Sequence, residues 1–74
     1  MNNKNFDLQK NLNLAHEYIA KKKFSEALKL YEKIILVHPD NFEAHSNLGT
    51  IFAQNNNLDK AIELWEKAIE IKPN

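Results

Sequence analysis

Cysteine is absent from this chain, which excludes disulfides and thiolate-bound metal. Glycine occurs once, at Gly49, so no glycine-rich loop is present to cradle a phosphate. No apolar run approaches the roughly 18 residues of a membrane span. The stretch Met1–Asp7 is rich in asparagine and lacks the apolar segment of a signal peptide, so a cytoplasmic protein is expected. Neither sign of charge is in excess, with ten Lys plus Arg against ten Asp plus Glu. The net field therefore draws in neither nucleic acid nor an anionic membrane, and partner choice rests on local surface.

What the chain does contain is enough apolar material for one small domain, 43% of 74 residues. A shift of 34 residues places Asn13, Leu14, Ala27, Leu30, Glu32, Lys33, Ile35 and Pro39 on Asn47, Leu48, Ala61, Leu64, Glu66, Lys67, Ile69 and Pro73. Ala15 with Gly49, Tyr18 with Phe52, Phe24 with Leu58, Tyr31 with Trp65, and Val37 with Ile71 fill the same register conservatively. The chain is a tandem duplication. Within each copy the apolar spacing is helical, clearest in Ala27, Leu30, Tyr31, Ile34, Ile35 and in Ala61, Leu64, Trp65, Ala68, Ile69.

Two helices per copy follow, over roughly 8–21, 25–37, 42–55 and 59–71. Pro39 cannot continue the second helix, and Asp40 with Glu43 reads as a capping box for the third. Asn55, Asn56 and Asn57 suit a left-handed turn at the end of that helix. The organisation is then a flexible segment 1–7, a first repeat 8–41 and a second repeat 42–74. Small residues at Ala15, Ala27, Gly49 and Ala61 let paired helices approach, while Tyr18, Tyr31, Phe52 and Trp65 fill the spaces between them.

These residues resemble the tetratricopeptide repeat. His45, Leu48, Gly49, Phe52, Ala61, Trp65 and Pro73 fall at its spacings, as do Asn11, Leu14, Ala15, Tyr18, Ala27, Tyr31 and Pro39 in the first copy. Departures are Asn11 and His45, where the family favours Trp, and Lys22 and Asn56, where it favours Gly. The resemblance implies an all-α fold of two helix-turn-helix hairpins stacked as a short right-handed solenoid. It also implies a concave groove lined by the first helix of each pair: Gln9, Leu12, Asn13, His16, Ile19 and Ala20, then Glu43, Ser46, Asn47, Thr50, Ala53 and Gln54. Asn13 and Asn47 occupy a position that in the family often holds peptide backbone, and an amide both donates and accepts; an inter-helix hydrogen bond is the competing role. Some family members grip a partner's C-terminal carboxylate with groove lysines, and no lysine stands among these residues. Leu12 and Ile19 make the first half of the groove apolar, whereas Ser46 and Ala53 make the second half small and polar. An amphipathic segment matches that pattern better than an acidic tail.

Other chemistry has little support. His16, His38 and His45 share no i, i+4 spacing and have no cysteine beside them, so no metal site is expected. His38 at a helix end suits the final carbonyls. Ser25 and Ser46 have no marked base, the acids alternate with lysines as in Glu63 and Lys67, and neither an enzyme nor a cofactor is expected. Lys21, Lys22 and Lys23 end a helix where the dipole favours cations; RNA or anionic-surface binding through them is a lesser alternative, since asparagines replace them in the second copy. The stack also has unlike ends. Ala44 and Ile51 should pack back on the second helix, where the first helix carries Lys10 and Glu17. Leu28 and Ile35 should face the following repeat, and their counterparts Ile62 and Ile69 have no following repeat in this sequence. Ile62, Trp65 and Ile69 therefore form a candidate self-association patch, with a homodimer as the expected product. The expected function is a non-catalytic protein-protein interaction module that binds a polypeptide segment. The alternatives are a self-assembling scaffold with no separate client, or a piece of a longer array.

Overall fold

A computed structural model describes residues 6–72. Four helices follow in order: α1 Leu8–Ala20, α2 Phe24–Val37, α3 Phe42–Gln54 and α4 Leu58–Ile71. No strand occurs among the described residues. Packing is sequential, α1 on α2, α2 on α3 and α3 on α4, the arrangement of two stacked hairpins.

Local chemistry fixes the ends. Asp7 accepts from the Lys10 amide at 3.0 Å and caps α1, and Asn57 accepts from the Lys60 amide at 3.4 Å and caps α4. The capping box expected from Asp40 and Glu43 does not form; Asn41 caps α3 by accepting from the Ala44 amide at 2.8 Å. Pro39 and Asp40 are instead the centre of a turn closed by the Asn41 amide on the His38 carbonyl at 3.1 Å. Proline's fixed φ suits the first central position of such a turn, which takes Asp40 into the turn and leaves the cap to Asn41. Within each hairpin the turn is the same motif. The Lys23 amide reaches the Tyr18 carbonyl at 2.8 Å and the Lys22 amide the Ile19 carbonyl at 2.9 Å; Asn57 to Phe52 and Asn56 to Ala53 repeat this at 2.9 and 3.0 Å. Lys22 and Asn56 adopt φ of 61° and 65° there, the left-handed conformation that this helix ending requires.

Leu12, Ala15, Ala27, Tyr31, Ile34, Ala44, Leu48 and Ile51 form one buried cluster shared by α1, α2 and α3. Ala61 and Ala68 are also buried on α4. Ala44 and Ile51 are buried, as the register requires, while Lys10 and Glu17 are exposed. Gly49 has a specific cause: a Cβ there would lie 2.6 Å from Trp65 Nε1 and 3.2 Å from the Ala61 carbonyl oxygen. The indole lies directly over the glycine. In the first repeat the corresponding pair is Ala15 and Tyr31, where a smaller ring leaves room for a methyl.

Residues 1–5 of the segment expected to be flexible, and Pro73 of the repeat pattern, lie outside the described residues. Phe6 packs against the core and Asp7 is the α1 cap, so the folded body takes in the last two residues of that segment. On α4, Lys60 pairs with Glu63 at 3.8 Å and Lys67 with Glu70 at 3.6 Å, in place of the anticipated Glu63 with Lys67. These exposed pairs contribute little to stability.

Candidate functional site

Helices α1 and α3 present equivalent faces on the same side of the stack, because a 34-residue repeat returns each position to the same register. Gln9, Asn13, His16 and Ala20 of α1 are exposed, and so are Thr50 and Gln54 of α3; Ile19, Glu43, Ser46, Asn47 and Ala53 are half-buried. Leu12 does not belong to this surface. Only 3% exposed, it is part of the core cluster shared by α1, α2 and α3. The apolar half expected for the groove therefore reduces to Ile19 beside Ala20, and the face as a whole is polar.

At its centre the two helices are tied together. His16 Nε2 lies 2.7 Å from Glu43 Oε2, so that nitrogen carries a proton and donates it to the carboxylate. The same nitrogen cannot then accept from Asn47, whose amide nitrogen stands 3.2 Å away; that approach is a contact and not a second hydrogen bond. Asn47 donates instead to the Tyr31 hydroxyl at 3.1 Å. Burial pushes the Tyr31 phenol above its ordinary value of 10.0; the Asn47 bond opposes this, and the Glu43 charge adds to it. The His16 and Tyr31 rings are tilted against each other with centroids 6.4 Å apart.

The two asparagines of the repeat thus differ. Asn47 makes the inter-helix bond, reaching back to the preceding repeat, whereas Asn13 accepts from Gln9 within its own helix at 3.1 Å and stays exposed. Thr50 donates to the Ser46 carbonyl at 3.2 Å, and that carbonyl also accepts from Trp65 Nε1 at 3.2 Å. Trp65, assigned to the self-association patch, is therefore anchored on α3 with its ring over Gly49, and it contributes one edge to the exterior. Register puts His16 and Glu43 on one face, but neither their pairing nor the Tyr31 hydroxyl bonded to Asn47 is visible in the sequence. Both contacts cross between repeats, where sequence spacing carries no signal.

His45 stands apart from this face. It is buried, donates from Nε2 to the Pro39 carbonyl at 2.8 Å, and its Nδ1 has no partner. The His38 ring meets Phe6 at 6.0 Å between centroids. No group of three or more His, Cys, Asp or Glu that could hold a metal occurs among the described residues, and no described helix is long and apolar enough to cross a membrane.

Paired helices of 13 and 14 residues, joined by the same turn in both copies, with a polar face repeated on the first helix of each pair, define a helical repeat protein. The tetratricopeptide repeat family matches residues 12–74, and the chain belongs to it. It is 39% identical to the Hsp70-Hsp90 organising protein of Plasmodium falciparum, covering 80% of this chain and 10% of that protein. It is 32% identical to the anaphase-promoting complex subunit CDC16 of Saccharomyces cerevisiae, covering 85% of this chain and 8% of that subunit. Against the STIP1 homolog of Dictyostelium discoideum the identity is 32%, covering 84% of this chain and 11% of that protein. The chain thus spans about a tenth of the length of these relatives.

Proposed function

We propose that this chain is a non-catalytic protein-protein interaction module that seats a polypeptide segment across the face of α1 and α3. The names of its relatives speak of organising other proteins and of a multi-subunit complex, which supports the general class. The observation that carries the specific reading is the run of side-chain hydrogen-bonding groups on one continuous face. Gln9, Asn13, His16, Glu43, Asn47, Thr50 and Gln54 all carry polar groups there, and the amides among them both donate and accept, as the backbone of an extended segment requires. With Leu12 buried, an extended segment fits this face better than the amphipathic helix suggested by the sequence. Glu43 lies at its centre and none of its residues is a lysine, so the segment is neutral or basic. The cytoplasm is the compartment this reading assumes.

The test is affinity capture with the purified chain, followed by binding measurements on the captured segment. Asn13→Ala and Gln54→Ala remove exposed groups without touching the core. Each is expected to weaken binding about 2- to 13-fold, as the loss of one hydrogen bond of roughly 0.5–1.5 kcal/mol requires. Captured segments insensitive to these changes and to His16→Ala would remove the groove from the account.

A second reading is self-association through α4. Ile62 and Ile69 are 48% and 60% exposed, although their counterparts Leu28 and Ile35 pack against the core. A second copy covering this patch would give the expected homodimer.

A further inference from the structure

We propose that self-association is head to tail: the exposed stripe of α4 in one copy docks against the α1–α2 face of the next. This rests on the self-association reading and assigns the partner surface.

The stripe comprises Leu58, Ile62, Trp65 and Ile69, which recur at helical spacing on one side of α4 and are all exposed. Their register counterparts on α2 are Phe24, Leu28, Tyr31 and Ile35. None of these four is exposed, and Tyr31 is wholly buried. What covers α2 is α3, the first helix of a repeat. The matching residues of α4 thus form a surface shaped for the first helix of a repeat, and α1 is one.

The other end shows the reciprocal vacancy. Leu14 is 39% exposed, whereas its counterpart Leu48 is 3% exposed because α3 lies on α2. Leu14, Tyr18 and Leu30 line a shallow groove between α1 and α2, rimmed by Lys29, Lys33 and Glu26. Charge then selects the pairing. Residues 1–37 hold seven lysines against four acids, and residues 38–74 hold three lysines against six acids. Asp59, Glu63, Glu66 and Glu70, all exposed, run along α4 on one side of its stripe and outnumber Lys60 and Lys67, which pair with Glu63 and Glu70. Lys10, Lys29 and Lys33 lie around Leu14, outnumbering Glu17 and Glu26 there. Head-to-tail docking sets opposite charges together. An antiparallel two-fold pairing of α4 with itself sets one acidic row against the other, and like charges at an interface disfavour it.

The contact is looser than the one inside the chain. Lys10 and Glu17 stand where α3 has Ala44 and Ile51, so the incoming helix cannot approach as α2 approaches α3; their methylenes lie along the stripe while their charged ends reach its rim. Such a contact joins unlike surfaces, so it is not limited to a two-fold pair and builds a ring or an open string according to whether its rotation closes.

Light scattering on the whole chain against concentration reads this out. The average mass should climb from 8.6 kDa past twice that value without stopping at a dimer. It should fall back toward monomer at about 1 M salt, where the screening length is roughly 3 Å. A tail variant, Ile62→Lys with Ile69→Glu, and a head variant, Leu14→Glu with Lys29→Glu, should each be monomeric alone. An equimolar mixture should form one-to-one pairs through the remaining good head and tail. Each variant alters only its own two positions, and helicity by circular dichroism confirms folding. Should a double variant lose helicity, Ile69→Glu and Leu14→Glu alone replace them. A head variant that still self-associates as the wild type does, or a mixture that does not pair, overturns the head-to-tail contact and leaves self-association standing. A wild-type chain monomeric at every concentration overturns both.

Discussion

Gly49 and Trp65 show how one residue sets the packing of a repeat. The indole occupies the space of the missing Cβ, so Gly49→Ala forces the ring off its seat and breaks its bond to the Ser46 carbonyl. Alanine's better helix propensity, worth up to about 1 kcal/mol, works in the opposite direction. Overpacking costs about 1–3 kcal/mol, so the net effect is a loss of about 1 kcal/mol, read as a Tm lower by about 4–8 °C with a shift in Trp65 emission. Gly49→Leu should cost more, and an unchanged melting curve for it would contradict the packing described. At Tyr31 the raised phenol pKa has a sign that can be checked. The unfolded chain ionises first near pH 10, so the folded state holds more protons just above that value. The stability due to the neutral buried phenol is full below pH 10 and is lost as pH rises through the folded value. Absorbance titration should find Tyr31 ionising at higher pH than free tyrosine, and denaturation should show stability falling above pH 10; Tyr31→Phe should lessen that fall.

At the scale of elements, the sequence shows the helices clearly because the 34-residue repeat and the apolar period agree, and each end lies within one residue of its expected place. The error at the α3 cap is instructive. Asp40 and Asn41 are both good caps, and the choice between them was made by Pro39, which takes Asp40 into a turn. Asn41→Ala should therefore cost about 1 kcal/mol, while Asp40→Ala should leave the melting curve nearly unchanged; equal losses would contradict the cap assignment. The two hairpin turns need left-handed residues, and asparagine tolerates that conformation better than lysine does. Lys22→Gly is expected to stabilise the chain by about 1 kcal/mol and Asn56→Gly by less, measured by urea denaturation.

For the whole molecule, legibility followed distance along the chain. Register alone places Gln9, Asn13, His16, Thr50 and Gln54 on one face, and all five are exposed. Leu12 is instead buried in the cluster shared by α1, α2 and α3, and a periodic pattern within one helix cannot report packing between helices. The His16 to Glu43 pair and the Asn47 to Tyr31 bond escaped for the same reason. The uneven ends were legible in Lys10, Glu17, Ile62 and Ile69, whereas the anchoring of Trp65 on Gly49 needed coordinates. Polypeptide binding across α1 and α3 is the central claim, and amide NMR of the labelled chain titrated with a captured segment tests it most directly. The account predicts shifts concentrated between Gln9 and Ala20 and between Glu43 and Gln54, including the side-chain amide of Asn13; shifts confined to α4 or to Lys21–Lys23 would contradict it.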